Sequence, residues 1–417
     1  MNAFTLAFAY ARRRPLATLL NVVLLAVGVA TIALVLLLAR DFETRLTRDA
    51  EGIDLVVGAK GSPLQLILAG VYHADVPPGN IALAEVEKLR ANPLVAEALP
   101  LALGDSVRGF RIAGVEPAFV AHYGARLAAG ALWDAPMEAV LGAEAARATG
   151  LAVGATFAGA HGLGEGGAEH GDAPYRVVGI LAPTGRAIDR LVLTALESVW
   201  AVHEGAGHAV ADHGAHTEVD SGPRVGNEVG TVADRRGREV TLALVRYRSP
   251  LAAASLPRAI NANTPMQAAS PAYESARLLT VFSFAADILR AFALLLMAAS
   301  ALGLFVALAQ ALDERRYDLA IMRALGASRW QLVAVILVES LFLAAAGLVL
   351  GLLAANLVVA SIGAWIPAAA PLAAAAWTWP PAGWALVAVA LGAGIISAAW
   401  PAWRAYRLDV AATLGDA

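Results

Sequence analysis

Four long apolar runs constrain the fold of this chain more than any other feature of its sequence. They lie at about Leu16–Ala39, Phe284–Ala309, Leu332–Ile362 and Trp384–Trp403. A helix of about 20 apolar residues is long enough to cross the roughly 30 Å hydrocarbon core of a bilayer. The apolar fraction of 59% and the mean hydropathy of +0.63 also exceed those of an ordinary soluble protein. We therefore predict a membrane protein with four transmembrane α-helices.

The stretch between the first and second runs predicts one large inserted domain. Strand-like runs there alternate with segments of helical spacing, so we expect a mixed α/β fold. The predicted organisation is a lead-in and first helix over 1–40, the inserted domain over 41–283, and three further helices over 284–417. Strands are predicted at Asp54–Val57, Val107–Val115, Tyr175–Leu181, Arg190–Leu193 and Glu239–Tyr247, and helices at Leu83–Ala91, Met137–Thr149 and Leu251–Asn261.

Arginine placement predicts the orientation of the chain. Arginines precede the first run, separate the second from the third, and follow the fourth; they include Arg12, Arg13, Arg14, Arg315, Arg316, Arg323, Arg329, Arg404 and Arg407. Basic segments next to membrane helices usually face the cytoplasm. Both termini are therefore expected inside and the inserted domain outside. The first run is longer than the apolar core of a cleaved signal peptide, which indicates a retained signal anchor.

The loop between the second and third runs has the pattern of a short helix at the cytoplasmic face. Gly326 can adopt the left-handed conformation that ends a helix. Ser328 and Gln331 then form the Ser-x-x-Gln pattern of a capping box that opens the next helix. We predict an amphipathic helix over 313–326, with apolar residues at helical spacing on one face: Leu319, Met322 and Leu325.

This loop carries a family resemblance. The segment ERRYDLAIMRALGAS at 314–328, followed by an apolar run that contains Glu339 and Ser340, resembles the coupling region of MacB/FtsX-like ABC transporter permeases of type VII. The order of elements in the inserted domain is similar to that of the MacB-type periplasmic domain. The resemblance implies a bacterial inner-membrane protein with a periplasmic domain. It also implies a helical stalk that runs from about Ser270 into the second membrane helix.

The resemblance also implies partners and a mechanism. A Walker A loop needs G-x-x-x-x-G-K-[ST] to bind phosphates, and neither lysine of the chain, Lys60 or Lys88, lies in that pattern. We expect ATP and Mg²⁺ to bind two copies of a separate ABC ATPase, with the permease as a homodimer that transmits ATPase motion across the membrane (mechanotransmission). The substrate would be lipid-linked, peptide or drug-like; membrane lipids and a periplasmic adaptor or substrate protein are further expected partners. The residues implied in ATPase coupling are Glu314, Arg315, Asp318, Leu319, Met322, Arg323, Leu325 and Gly326.

Glu339 is an ionisable residue inside the third apolar run, where a charge is costly and usually functional. One interpretation is an ion pair with an arginine such as Arg329, or with a residue of a neighbouring helix. The other is a step in a proton relay. A relay needs further intramembrane carboxylates or histidines, and the sequence favours the ion pair because it offers no such chain.

Histidine clusters are the remaining candidate for chemistry. Two Gly/Ala-rich stretches hold six of the eight histidines, and His203, His208, His213 and His216 with nearby acidic residues are a possible zinc site. A solvated loop without a metal is the alternative. The sequence lacks cysteine, Gly-x-Ser-x-Gly and His-Glu-x-x-His, so we predict no catalytic residue. The net charge of −3 gives no reason to expect nucleic-acid binding. Two other functions stay open, a receptor or scaffold that binds a partner or metal, and a membrane-anchored metallohydrolase.

Overall fold

The computed structural model describes residues 15–161, 174–202, 237–365, 381 and 383–408. The predicted lead-in before residue 15 lies outside this range. The chain divides into two units by its internal contacts. The helical unit comprises the described residues up to 43 and from 279 onwards, and the inserted domain comprises the described residues of 44–278.

Helices make up most of the described part of the helical unit, and further helices pack on the sheet of the inserted domain. In chain order they are α1 (Pro15–Asp49), α2 (Pro63–Gly70), α3 (Leu83–Arg90), α4 (Pro117–His122), α5 (Ala143–Thr149), α6 (Leu251–Asn263), α7 (Pro271–Glu314), α8 (Arg316–Ala324), α9 (Arg329–Trp365) and α10 (Gly383–Tyr406). Residues 196–202 are also helical, and Ala187–Arg190 form a 3₁₀ turn.

Four of these helices, α1, α7, α9 and α10, are long and apolar enough to cross a membrane. Helix α7 has 44 residues and runs without a break, as predicted from about Ser270 onwards. Side-chain hydroxyls link helices in the helical unit: Ser300 Oγ donates to Asn21 O at 2.9 Å, and Ser340 Oγ donates to Gly394 O at 2.6 Å. Such bonds and small residues replace the hydrophobic effect as the source of helix association in lipid.

The inserted domain is built on a mixed sheet that confirms the predicted α/β class. Its strands are β1 (Leu55–Ala59), β2 (Ile81–Ala82), β3 (Val95–Val107), β4 (Phe110–Val115), β5 (Leu127–Gly130), β6 (Glu138–Leu141), β7 (Thr156–Phe157), β8 (Ala160–His161), β9 (Tyr175–Leu181), β10 (Leu191–Thr194), β11 (Glu239–Val240), β12 (Leu242–Tyr247) and β13 (Met266–Ala269). The main order is β13-β1-β12-β3-β4-β10-β6-β9-β5, with β7 on β9 and β8 on β3; β11 pairs with β2 separately.

Alternation along the strands gives this sheet two apolar faces. Val56 of β1 packs in the same cluster as Leu66 of α2. Its neighbours Leu55 and Val57 pack in a second cluster with Ile260 of α6. Because successive side chains of a strand point to opposite faces, one short strand contributes to both cores.

Two predicted elements were wrong in the inserted domain. The predicted helix Met137–Thr149 is a strand, β6, followed by the shorter helix α5. Strand β6 pairs with β10 and β9. The residue after it is Gly142, where a side chain would collide with the carbonyl of Asp189. The predicted strand Val107–Val115 is the end of β3, a turn and β4. Arg108 and Gly109 both have positive φ there, 48° and 82°, as a two-residue hairpin turn requires.

Smaller differences concern strand ends. The predicted strand Glu239–Tyr247 is divided into β11 and β12, which pair with different strands. The predicted strand beginning at Arg190 begins instead at Leu191, since Arg190 still belongs to the 3₁₀ turn.

His73 is a buried, uncharged histidine of the inserted domain. Its backbone is left-handed, with φ 53°, a region in which histidine and asparagine are tolerated better than most residues. Burial lowers the pKa of His73 to about 3, and the positive charges of Arg111 and Arg190 act in the same direction. Protonation of this ring is therefore strongly disfavoured in the folded domain.

We expect His73→Asn to weaken the acid sensitivity of the domain. Between pH 6.5 and 3 the unfolded chain binds a proton on His73 that the folded chain excludes, so the free energy of unfolding falls as pH falls. At pH 5 this loss is about 2 kcal/mol. Amide hydrogen exchange in the intact chain measures it, for amides that exchange only when the domain unfolds. The ratio of wild-type to variant protection should be lower at pH 5 than at pH 7.5; an unchanged ratio would contradict the assignment.

Candidate functional site

The candidate site is the loop between α7 and α9, where the chain changes direction around α8. Helix α7 ends at Glu314, and Arg315 leaves helical geometry with φ −104° and ψ 7° before α8 begins at Arg316. The NH of Arg315 still bonds the carbonyls of Ala311 and Leu312, both at 3.2 Å. The break between the two helices is therefore confined to Arg315, whose backbone donor is satisfied, and we call residues 313–316 the corner.

Helix α8 ends in a Schellman motif. The NH of Ala327 bonds Met322 O at 3.0 Å, and the NH of Gly326 bonds Arg323 O at 3.0 Å. Gly326 has φ 99°, which confirms the left-handed conformation predicted from the sequence. A side chain at this position would meet no atom within 4 Å, so the backbone angle alone accounts for glycine. Arg323 Nη1 also donates to Ala327 O at 3.0 Å and closes the turn.

The start of α9 confirms the predicted capping box. Ser328 Oγ accepts from the NH of Gln331 at 3.2 Å, and Gln331 Oε1 accepts from the NH of Ser328 at 2.7 Å. Both bonds satisfy NH groups that a helix N-terminus leaves without intrahelical partners. Together with the Schellman motif they fix the angle at which the chain passes from α8 into α9.

The inner side of α8 is part of the apolar core of the helical unit. Leu319 is buried there and Met322 is partly buried, against a set of residues from α9 and α10. This set comprises Leu332, Ile336, Ala402 and Ala405. Helix α8 is therefore held against two membrane helices.

The outer side of α8 differs from the predicted face. Leu325 was predicted to share a face with Leu319 and Met322, but it is 83% exposed, since 3.6 residues per turn place it about 120° around the helix from Leu319 and about 40° from Ile321. Tyr317 and Ile321 are exposed as well, and these three residues have i, i+4, i+8 spacing. We call Tyr317, Ile321 and Leu325 the outer stripe. The exposed residues Glu314 and Asp318 lie beside it in sequence.

An ion pair joins the corner to α9. Arg315 Nη1 lies 3.1 Å from Glu339 Oε2, with 15% of the arginine and 9% of the glutamate side chain exposed. The structure agrees with the ion-pair interpretation of Glu339 and gives Arg315 as the partner. Arg329, the example named from the sequence, lies over the ring of Tyr406, 5.5 Å from its centroid. Arg315 is thus a residue that fixes the corner from within and is poorly placed to contact another subunit.

A second ion pair connects the corner to α10. Asp313 Oδ1 lies 2.6 Å from Arg316 Nη2 and 3.5 Å from Arg404 Nη1. These groups are partly or fully exposed, so each contact contributes little stability by itself. Asp313, in the last turn of α7, thus contacts α8 through Arg316 and α10 through Arg404.

A cleft in the inserted domain is the other concave feature. It encloses about 260 Å³ beside Trp200, whose Nε1 donates to Glu239 O at 2.7 Å. Glu239 is the ionisable residue among its described lining residues, so the cleft has no acid–base pair for catalysis. Within the described parts of the chain, no three residues of the His, Asp, Glu or Cys types are grouped to hold a metal. The predicted zinc residues His203, His208, His213 and His216 lie outside the described residues.

Two family models match the chain. The model described as MacB-like periplasmic core domain matches residues 18–262, and the model described as FtsX-like permease C-terminal matches residues 290–410. No match was found among curated proteins.

Two solved structures resemble part of the chain. The periplasmic region of MacB from Actinobacillus actinomycetemcomitans has 11% identity, covers 55% of this chain and 95% of its own, and gives a TM-score of 0.33. The extracellular domain of the noncanonic ABC-type transporter YknZ from Gram-positive bacteria has 11% identity, 52% and 98% coverage, and a TM-score of 0.29. Both TM-scores are low, and the family models alone carry the relationship.

We expect the Arg315–Glu339 pair to matter more as a pair than as two separate residues. Removal of one partner of a buried ion pair is strongly destabilising, so Glu339→Ala should lower the free energy of unfolding by about 3 kcal/mol. The double variant Arg315→Met/Glu339→Leu removes both charges and should lose much less. Thermal unfolding in detergent compares them; a double variant less stable than Glu339→Ala would contradict this account.

Proposed function

Because the chain belongs to the MacB/FtsX-like family of ABC transporter permeases, we propose that it passes the motion of a separate ABC ATPase across the membrane to its periplasmic domain. In this proposal α8 is the coupling helix. The substrate that this motion exports or extracts is lipid-linked, peptide or drug-like. ATP and Mg²⁺ are bound by the ATPase, since neither lysine of this chain lies in a Walker A pattern.

The two-sided character of α8 is the observation that carries the proposal. Its inner side packs into the helical core through Leu319, and its outer stripe is apolar and exposed. An exposed apolar stripe suits contact with a protein partner. Force applied there reaches α9 and α10 directly, because the corner is fixed by the Arg315–Glu339 pair and the two helix caps.

The long helices support the transmission step. Helix α1 has 35 residues and α7 has 44, and each contributes residues to both the helical unit and the inserted domain. An uninterrupted helix keeps its hydrogen-bond ladder along its whole length and therefore moves as a stiff element. Movements of whole elements about fixed contacts are a common form of conformational change in proteins.

The proposal includes an assembly and an orientation. Two copies of the chain form a homodimer that binds two ATPase subunits, with a periplasmic adaptor or substrate protein and membrane lipids as further partners. The chain lies in the bacterial inner membrane with both termini and α8 in the cytoplasm. The arginines at the α8 corner support this orientation by the positive-inside rule.

Purification from native membranes tests the assembly directly. An ABC ATPase should co-elute with the chain in a 1:1 ratio, and its ATP hydrolysis should rise in the complex. A receptor or scaffold, the alternative function, would purify without an ATPase. Zinc binding by His203, His208, His213 and His216 is a separate proposal, tested by zinc titration of the intact chain against the variant with all four changed to Ala.

Leu325→Asp should abolish the stimulation of ATP hydrolysis while leaving membrane insertion intact. The change places a charge at one end of the outer stripe without disturbing the helical core, because the side chain is 83% exposed. Leu251→Asp is the matched control, since Leu251 is 71% exposed at the start of α6 in the periplasmic domain. Gly326→Pro should also abolish stimulation because proline cannot adopt φ 99°. Full stimulation in both α8 variants would contradict the coupling role.

Cysteine labelling should place α8 in the cytoplasm. The chain has no cysteine, so Tyr317→Cys introduces one reactive thiol at an exposed position. In intact spheroplasts a membrane-impermeant maleimide should leave it unlabelled, and permeabilisation should expose it. Leu251→Cys is the control that should react before permeabilisation. Labelling of Tyr317→Cys from outside would overturn the orientation and the coupling role together.

A further inference from the structure

The last turns of α1 are held by the loop 184–190 of the periplasmic domain. Arg48 Nη1 donates to Gly185 O at 3.3 Å, and Asp49 Oδ2 lies 3.3 Å from Arg190 Nη2. Just beyond the helix, Glu51 O accepts from Arg186 Nη2 at 2.6 Å. Three successive contacts from one short loop thus fix the point at which α1 ends.

Asp189 gives this loop a fixed shape. Its carboxylate accepts from the NH of Thr184 at 2.9 Å, from Thr184 Oγ1 at 2.8 Å and from the NH of Gly185 at 2.7 Å. The side chain is buried, and hydrogen bonds between a carboxylate and backbone NH groups are among the stronger ones in proteins. The loop is therefore organised independently of α1, in the shape that presents Gly185 O and Arg190 to it.

Arg190 connects this contact directly to the sheet. The next residue, Leu191, begins β10, which lies between β4 and β6 and is buried along its whole length. A displacement of Asp49 would therefore pull on Arg190 and, through it, on the start of β10. The Asp49 side chain is 6% exposed, and loss of one partner of a buried ion pair is strongly destabilising.

Tyr72 adds the second long helix to the same joint. Its hydroxyl donates to Leu46 O of α1 at 3.3 Å and lies 2.6 Å from Ser275 Oγ in the first turns of α7. One side chain therefore bridges α1 and α7 inside the domain. Helix α2 ends two residues before it, at Gly70, and packs on the sheet through Leu66 and Ile67.

We propose that the Asp49–Arg190 pair and the Tyr72 hydroxyl form a joint that converts movement of α1 and α7 into movement of the periplasmic sheet. This inference rests on the proposed function, because it says where the transmitted motion enters the domain. Asp49, Arg190 and Tyr72 are positioning residues in this account: they act through the helices and contact neither ATP nor substrate. Loss of the Asp49–Arg190 and Tyr72 contacts should leave the stimulation of ATP hydrolysis through α8 unchanged. It should prevent the ATP-dependent movement of the periplasmic domain.

Energy transfer between two dyes in the reconstituted complex tests the joint. The dyes are attached at Trp365→Cys in the helical unit and Leu251→Cys in the domain, both exposed and in a chain without other cysteines. Labelled chain is mixed with excess unlabelled chain so that most complexes carry one dye pair. The measured quantities are the ATP-dependent change in transfer efficiency and the ATP hydrolysis rate of the same sample.

The single variants Asp49→Arg and Arg190→Asp should each reduce the ATP-dependent change at least fivefold, with ATP hydrolysis within twofold of wild type. The exchanged pair Asp49→Arg/Arg190→Asp should recover more than half of the change, which a merely misfolded domain would not do. Glu85→Lys/Lys88→Glu is the matched control and should behave as wild type, because that ion pair is on the surface of the same domain. Tyr72→Phe, which removes only a hydroxyl, should reduce the change about threefold.

The possible results separate the inference from the proposed function. If wild type responds to ATP and the single variants respond equally, the joint is overturned and the proposed function stands. The joint is also overturned by a second combination of results. In it, the exchanged pair responds to ATP as poorly as the single variants, and Tyr72→Phe responds as wild type. If wild type gives no ATP-dependent change although the ATPase is bound and active, the proposed function fails, and the inference fails with it.

Discussion

The buried contact between Arg315 and Glu339 is the interaction on which the corner between α7 and α8 depends. A carboxylate in a membrane helix is costly unless a cation and hydrogen bonds compensate it, and the arginine at the helix break is placed to do so at 3.1 Å. The backbone of Arg315 itself departs from helical φ and ψ angles, and α7 ends just before it. The break that ends α7 and the buried carboxylate of α9 therefore meet in one ion pair.

The sequence predicted best those features that depend on a few neighbouring residues. Gly326, Ser328 and Gln331 were identified from cap chemistry, and each has the predicted backbone bonds. Leu325 was assigned to the wrong face, because six residues after Leu319 a helix position has turned about 120° away from it. The outer stripe has an i, i+4, i+8 pattern that is visible in the sequence. Its exposure could not be predicted, because it depends on which side of α8 is covered by α9 and α10.

Features that depend on distant residues were harder to predict. Strand β6 was predicted as helix because its sequence, EAVL, has no strong strand preference; its pairing with β10 and β9 decides its conformation. Glu339 was assigned to an ion pair from the cost of its burial alone, yet the choice of Arg315 over Arg329 needed the corner geometry. The joint at Asp49 had no sequence signal, since residues about 140 positions apart form it.

Helix α7 shows why both kinds of contact matter for function. Its first turns carry Ser275, bonded to Tyr72 of the periplasmic domain, and the residue that follows its last turn, Arg315, is bonded to Glu339. At 1.5 Å per residue its 44 residues span about 66 Å. A helix of this length passes a displacement from one end to the other only if each end is attached to the element that it moves. Side-chain bonds are present at each end of α7, to Tyr72 at its start and to Glu339 just after its last residue, as the proposed function requires. The polar residues at the two ends are thus better candidates for the transmitting machinery than the long apolar stretch that separates them.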